Sequence, residues 1–100
     1  ENRLRIISLL LTKELCVCEI EASLEMSQSN VSRHLTKLKT SGIVDSRKDS
    51  QWVYYKISEN FRDNNMELIN YLIAIFRNES LLIDDIARLQ KLDSREFICK

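Results

Sequence analysis

Residues 27–42, SQSNVSRHLTKLKTSG, decide the fold of this chain. A stripe of apolar residues recurs through them at helical spacing: Val31, Leu35 and Leu38. Ser27 is a good N-cap, and Gly42 stands where a helix typically ends. Residues 15–25 predict a second, shorter amphipathic helix just before this one. Two helices joined by a turn of about three or four residues form a helix-turn-helix pattern, here over about residues 15–41.

The periodicity changes after this unit. Residues 43–57 hold two runs of β-branched and aromatic residues around a polar segment at 46–51, which predicts a two-stranded hairpin with a charged tip. Helical patterns precede the unit at residues 3–11 and follow the hairpin up to about residue 92. We therefore expect a mainly α protein with a small β-hairpin (α+β): a winged helix-turn-helix with its wing at about 43–57.

The most apolar segment predicts a second subunit. Residues 66–76 are apolar at nine of eleven positions, nearly all round a helix. A chain of 100 residues forms one domain, here residues 1–100, and it can cover such a helix only in part. We expect a homodimer formed through the terminal helices at about residues 60–92.

Charge and composition exclude several classes of protein. The chain has 15 basic and 15 acidic residues, but residues 33–56 alone carry six basic and two acidic ones. Overall neutrality therefore conceals a basic segment suited to DNA phosphates. A single Gly and no Pro argue against phosphate-binding loops, and no apolar run is long enough for a membrane span. A single His, with no nucleophile–base pair, argues against an enzyme.

The polar face of the predicted recognition helix supplies the candidate DNA contacts. Its first turns favour four residues as base readers: Gln28, Ser29, Ser32 and Arg33. Three basic residues are better placed for phosphates, which fix position rather than sequence: Lys37, Arg47 and Lys48. His34 falls nearer the apolar edge of the helix, so the pattern alone favours a packed or capping histidine.

Two of the three cysteines, Cys16 and Cys18, stand two residues apart. The odd count argues against a disulfide framework, and we expect a cytoplasmic protein with reduced thiols. Residues two apart in a regular helix point about 200° away from each other, so both sulfurs can share one ion only if this helix end is irregular. Thiolates select soft ions. The alternative interpretation is a pair of small buried hydrophobic residues.

Two motifs resemble those of a known family. Residues 14–20, ELCVCEI, resemble the metal-box sequence ELCVCDL of the arsenic-sensing branch of the ArsR/SmtB repressors, and residues 27–35 resemble that family's SQSTVSRHL recognition-helix motif. The resemblance implies a homodimeric repressor that leaves its operator DNA when As(III) or Sb(III) binds. It implies that Cys16 and Cys18 are ligands and that His34 lies on the DNA surface, and it implies no cofactor for folding.

The departures from the family pattern leave the third ligand open. Some members carry a third cysteine where this chain has Glu21, and cadmium- and lead-sensing relatives add cysteines from an N-terminal arm. The third thiolate is therefore Cys99 or a residue upstream of this sequence. The zinc-sensing branch uses histidines and carboxylates on the dimer helix; with only Asp84 and Asp85 there, we discount that site. The alternatives are a repressor of the same fold that senses thiol oxidation or soft divalent metals such as Cd or Pb, and a protein-interaction module without DNA binding.

Overall fold

A computed structural model describes residues 2–94 of the chain, with side chains for residues 2–92. It confirms a mainly helical winged helix-turn-helix with a small antiparallel sheet. The elements follow one another along the chain as α1 (Asn2–Leu10), β1 (Leu15–Cys16), α2 (Val17–Leu24), α3 (Gln28–Thr40), β2 (Val44–Asp49), β3 (Trp52–Ile57), α4 (Glu59–Asn64), α5 (Met66–Phe76) and α6 (Ser80–Ser94).

The recognition helix α3 begins and ends where its caps predict. The Ser27 hydroxyl accepts the backbone N–H of Asn30 at 3.3 Å, which satisfies one of the unpaired amides of the first turn. Gly42 adopts a φ of 82°, a left-handed conformation that glycine reaches without steric cost. The three apolar residues of the α3 stripe are buried, so α3 packs on the core with its polar face outward.

The sheet has three strands, in the order β1-β3-β2, rather than the two that we predicted. Leu15 pairs with Tyr55 and Cys16 with Tyr54 in antiparallel register. The second helix consequently begins at Val17 and not at residue 15. The prediction missed β1 because a strand of two residues has no alternation to detect, and its partner edge on β3 is distant in sequence.

The hydrophobic core joins α1, α2, α3 and α6 to the ends of the two long strands. Its fully buried members include Ile6, Leu9, Ile20, Leu35 and Val44. At its edge, a buried polar cluster that we call the Asp85 cluster links three helices. It consists of Asp85, Arg5 and Arg88 with the carbonyl oxygens of Ser23 and Leu24.

Charge pairing explains how the Asp85 cluster can be buried. The Asp85 carboxylate is fully buried and accepts N–H groups of Arg5 at 2.9 and 3.0 Å and of Arg88 at 2.6 Å. The same two guanidinium groups donate to the Leu24 and Ser23 carbonyls at the C-terminal end of α2. Asp85 is therefore committed to holding the three helices together.

The terminal helices expose apolar side chains. Four of them on α5 are large: Met66, Leu68, Tyr71 and Ile75 are 59%, 44%, 64% and 38% exposed, and α6 adds Leu81 and Ile83. A cavity of 480 Å³ lies beside them, lined by Leu11, just after α1, and by residues of α5 and α6 that include Ile73, Phe76, Ile83 and Ile86. Within residues 2–94, no helix has the length and hydrophobicity needed to cross a bilayer.

Candidate metal centre and nucleic-acid interface

The cysteine pair lies at the junction of β1 and α2. Cys16 is the last residue of β1 and the N-cap of α2, with an extended backbone (φ −87°, ψ 165°). Cys18 follows in the first turn of α2. Their sulfur atoms lie 3.2 Å apart. The irregular helix start that two convergent thiolates require is therefore present, because Cys16 does not adopt helical geometry.

The two sulfur atoms lie close enough to contact one ion. They are 3.2 Å apart, and metal–sulfur bonds are about 2.3 Å long. Within the described part of the chain, no group of three or more His, Cys, Asp or Glu side chains is arranged to hold a metal ion. Cys99, the candidate third thiolate, lies outside the described residues.

The two sulfurs differ in chemical state. Burial raises the pKa of the Cys16 thiol, and the Glu19 backbone N–H at the sulfur opposes this only in part. Cys16 is a free thiol, whereas Cys18 is disulfide-bonded. The expectation that the thiols are reduced is thus not met at Cys18. Binding of one ion by both sulfurs requires the reduced protein.

The cysteine pair opens into a cavity of 510 Å³ that reaches the predicted DNA surface. Three segments line it: the junction of β1 and α2 at residues 16–18, the start of the recognition helix at Gln28, and the tip of the wing at residues 51–53. Glu21 also lines the cavity, at the position where some family members carry a third cysteine. A chemical change at Cys16 or Cys18 would therefore take place next to the residues that we expect to read DNA.

The predicted base readers lie together at the start of α3. Gln28, Ser29 and Arg33 are exposed, and Ser32 is half-buried. The Arg33 guanidinium donates to the Asn30 side-chain oxygen at 2.9 Å, which holds it along the outer face of the helix. Two of the predicted phosphate contacts are exposed as well, Lys37 further along α3 and Lys48 on the wing.

His34 lies between the two faces of α3. Its ring is half-buried, and its Nδ1 is buried without a hydrogen-bond partner among the described residues. Desolvation, followed by the neighbouring Arg33 charge, lowers the pKa of His34. His34 therefore lies at the apolar edge of α3, and its role towards DNA stays a prediction.

Arg47, the third predicted phosphate contact, is held in an ion pair that sequence reasoning missed. Its guanidinium donates to both carboxylate oxygens of Glu14 at 2.8 Å and lies 4.7 Å from the centre of the Tyr54 ring. The Arg47 side chain lowers the pKa of Glu14. Glu14 belongs to the cysteine motif and Arg47 to the predicted hairpin, but 33 positions separate them, and only the three-stranded sheet brings them together.

Comparisons with known proteins identify the family. A model of the family described as "Bacterial regulatory protein, arsR family" matches residues 1–46. The arsenic resistance transcriptional regulator ArsR2 of Pseudomonas putida is 35% identical over 82% of this chain and 70% of that protein. The chain belongs to the ArsR family. The ArsR-family relatives are transcriptional regulators and not enzymes.

Solved structures of ArsR-type regulators share the fold. Reduced HlyU from Vibrio cholerae is 42% identical, with a TM-score of 0.61 over 72% of this chain and 76% of that one. The homodimeric winged helix-turn-helix DNA-binding domain of a possible ArsR-family regulator from Mycobacterium bovis is 28% identical, with a TM-score of 0.62 over 71% and 66%. The architecture predicted from the α3 and wing patterns is thereby confirmed.

Proposed function

We propose that this protein is a metalloid-responsive transcriptional repressor. It binds operator DNA as a homodimer in the cytoplasm and is released when As(III) or Sb(III) binds a site that contains Cys16 and Cys18. The observation that carries the proposal is the pair of sulfurs 3.2 Å apart in a cavity that the first residue of the recognition helix also lines. The arsenic resistance regulators among its relatives support the choice of inducer.

The exposed face of α3 supports operator binding. Gln28 and Arg33 carry side chains that pair with adenine and guanine edges, and Ser29 and Ser32 stand beside them. Lys37 and Lys48 extend this surface with positive charge for phosphates, which bind independently of sequence. In a dimer, two copies of α3 about 34 Å apart would occupy successive major grooves of a palindromic operator.

The apolar faces of α5 and α6 support the homodimer. Leu68, Tyr71, Leu81 and Ile83 are exposed on adjacent helices beside an apolar cavity, a concentration that solitary soluble domains rarely leave to water. The homodimeric Mycobacterium bovis neighbour has the same fold. Sedimentation equilibrium tests the assembly, and a monomer at the concentrations that bind DNA would contradict it.

The pyramidal coordination that As(III) favours needs one further ligand. We propose Cys99, of the same subunit or of its partner, as the candidate within this sequence, and a cysteine upstream of the sequence is the alternative. X-ray absorption of the arsenite-loaded protein counts the sulfur ligands. A count that falls by one in Cys99→Ser supports the assignment, and an unchanged count overturns it.

Ion binding would strain the start of α2. An ion shared by Cys16, Cys18 and a third thiolate would move the N-cap of α2 relative to the wing tip and to Gln28, which share the cavity. A coupling free energy of about 1–3 kcal/mol between the two sites weakens DNA binding about 5- to 150-fold. That range is sufficient for release from an operator.

The decisive experiment combines Cys16→Ser with Cys18→Ser. Operator affinity is measured by fluorescence anisotropy on fully reduced protein under anaerobic conditions, with and without arsenite. We expect the double variant to bind the operator like the unmodified protein without arsenite and to lose the arsenite response. A retained response refutes the site.

Two additions complete this test. A titration at two salt concentrations identifies true phosphate contacts, because their affinity falls steeply with salt; binding that does not change with salt contradicts the DNA interface. A separate arm adds a mild oxidant in place of arsenite. Release by the oxidant alone would support the thiol-redox alternative instead.

A further inference from the structure

The Glu14–Arg47 pair joins the segment that carries the cysteines to the wing. Glu14 directly precedes β1, and Arg47 lies on β2, the far strand of the sheet. Both guanidinium–carboxylate hydrogen bonds measure 2.8 Å. This bidentate geometry fixes the relative orientation of the two side chains as well as their distance. Tyr54 lies beneath the guanidinium and restricts it further.

The register of the sheet places this pair in line with the metal box. Cys16 pairs with Tyr54 on β3, and Tyr54 pairs with Arg47 on β2, so one row across the sheet runs from the cysteine to the arginine. The Glu14 side chain closes the row from the other side, since it precedes Cys16 by two residues and contacts Arg47. A displacement of Cys16 therefore reaches the wing both through the strands and through the ion pair.

Of these two connections, the ion pair holds β1 more firmly in position relative to β2. Strand β1 contributes only Leu15 and Cys16 to the sheet, a short ladder that is easily deformed. The bidentate pair adds a side-chain link that keeps β1 and β2 in fixed relation when the ladder shifts. This link spans the central strand, which no backbone hydrogen bond of β1 can do.

We infer that Glu14 and Arg47 are a positioning pair that transmits ion binding at Cys16 and Cys18 to the DNA-contacting wing. The inference rests on the proposed function and deepens it. It also assigns Arg47 a role different from the phosphate contact predicted from the sequence, because its guanidinium is already committed to Glu14. Lys48, the next residue on the wing, remains the phosphate contact.

The first test compares Glu14→Ala with Glu59→Ala. Glu59 forms a surface pair with Lys56 at 3.3 Å and lies on α4, outside the sheet, and its mutation to Ala removes the same charge. Operator affinity is measured with and without arsenite, and arsenite binding is followed separately through the fluorescence of Trp52. Trp52 is the single tryptophan of the chain and lines the cysteine cavity.

We expect Glu14→Ala to bind arsenite with unchanged affinity by the Trp52 signal and to bind the operator normally without it. The factor by which arsenite weakens operator binding should fall about two- to fivefold, in line with the loss of one ion pair, and Glu59→Ala should match the unmodified protein. An equal factor in all three proteins overturns the inference. Absence of any arsenite effect in the unmodified protein overturns the proposed function, and with it the inference.

A charge exchange separates coupling from phosphate contact. Arg47→Glu alone should lower the arsenite factor as Glu14→Ala does, and the combination with Glu14→Arg should restore it. If Arg47 instead contacts phosphate, Arg47→Glu lowers operator affinity without arsenite, and the exchanged pair does not restore it. That second result would overturn the positioning role.

Discussion

The two ends of helix α2 are held in contrasting ways. At its C-terminal end, the carbonyls of Ser23 and Leu24 accept guanidinium groups that are themselves anchored on the fully buried Asp85. At its N-terminal end, the cysteine junction is tied to the wing by Glu14 and Arg47, whose side chains are 28% and 53% exposed. One end is fixed on a fully buried carboxylate, and the other is held by a surface pair.

This difference indicates which end of α2 responds to an inducer. A buried charge cluster is costly to disrupt, because each ion left without its partner stays desolvated. An exposed pair exchanges its partner for water at little cost. We therefore expect the C-terminal end of α2, which leads through a short turn into α3, to act as a pivot, and strain at the cysteines to be relieved at the N-terminal end and the wing.

The largest expected effect comes from breaking the pivot. Asp85→Ala leaves two guanidinium groups without their carboxylate and should lower the free energy of unfolding by about 3–5 kcal/mol. Urea denaturation measures this loss. The adjacent exposed Asp84 provides the control, and Asp84→Ala should change the unfolding free energy by no more than about 0.5 kcal/mol. A loss under about 1 kcal/mol in Asp85→Ala would mean that α2 is not anchored there.

An intermediate effect is expected at the recognition surface. Arg33→Ala should cost about 1–3 kcal/mol of operator binding and relax preference at one base pair, because a guanidinium contact to guanine is lost. The factor by which arsenite weakens binding should stay unchanged, since Arg33 belongs to neither end of α2. Anisotropy titrations against operator variants measure both quantities, with the exposed Arg62 on α4 mutated to Ala as control. Intact base preference would exclude Arg33 as a base reader.

The smallest expected effect is on stability, through the ion pair at the N-terminal end of α2. Arg47 depresses the pKa of Glu14, so their pair stabilises the fold above the ordinary carboxylate pKa and loses that contribution as the pH falls through the depressed value. Glu14→Ala should lower the melting temperature by about 2–4 °C near pH 7. The difference from the unmodified protein should disappear in strong acid. A difference that persists there would assign the effect to packing.

Local chemistry made much of this architecture predictable. Ser27 and Gly42 marked the ends of α3 because capping and left-handed backbone depend on single residues, and the apolar stripe identified its buried face. The basic segment at 33–56 indicated a nucleic-acid surface in a neutral chain. The cysteine spacing, with the condition of an irregular helix start, led to the geometry observed at Cys16 and Cys18.

The remaining features depend on contacts between distant segments. Strand β1 forms only because β3 offers it an edge, so its two residues carried no signal of their own. Asp85 pairs with Arg5, 80 residues away, and Arg47 pairs with Glu14, 33 residues away. A charged residue in a sequence gives no indication of which distant residue it will contact. The disulfide at Cys18 likewise contradicts an expectation drawn from cysteine count and compartment rather than from geometry.

Strand β1 also protects the sheet. An uncovered edge of β3 would present the N–H and C=O groups of two tyrosine positions to any passing extended chain, a common starting point for aggregation. Leu15 and Cys16 occupy that edge at Tyr54 and Tyr55. The segment that carries Cys16 therefore also prevents strand pairing between molecules. A displacement that uncovered β3 would lower solubility, which limits how far this segment can move.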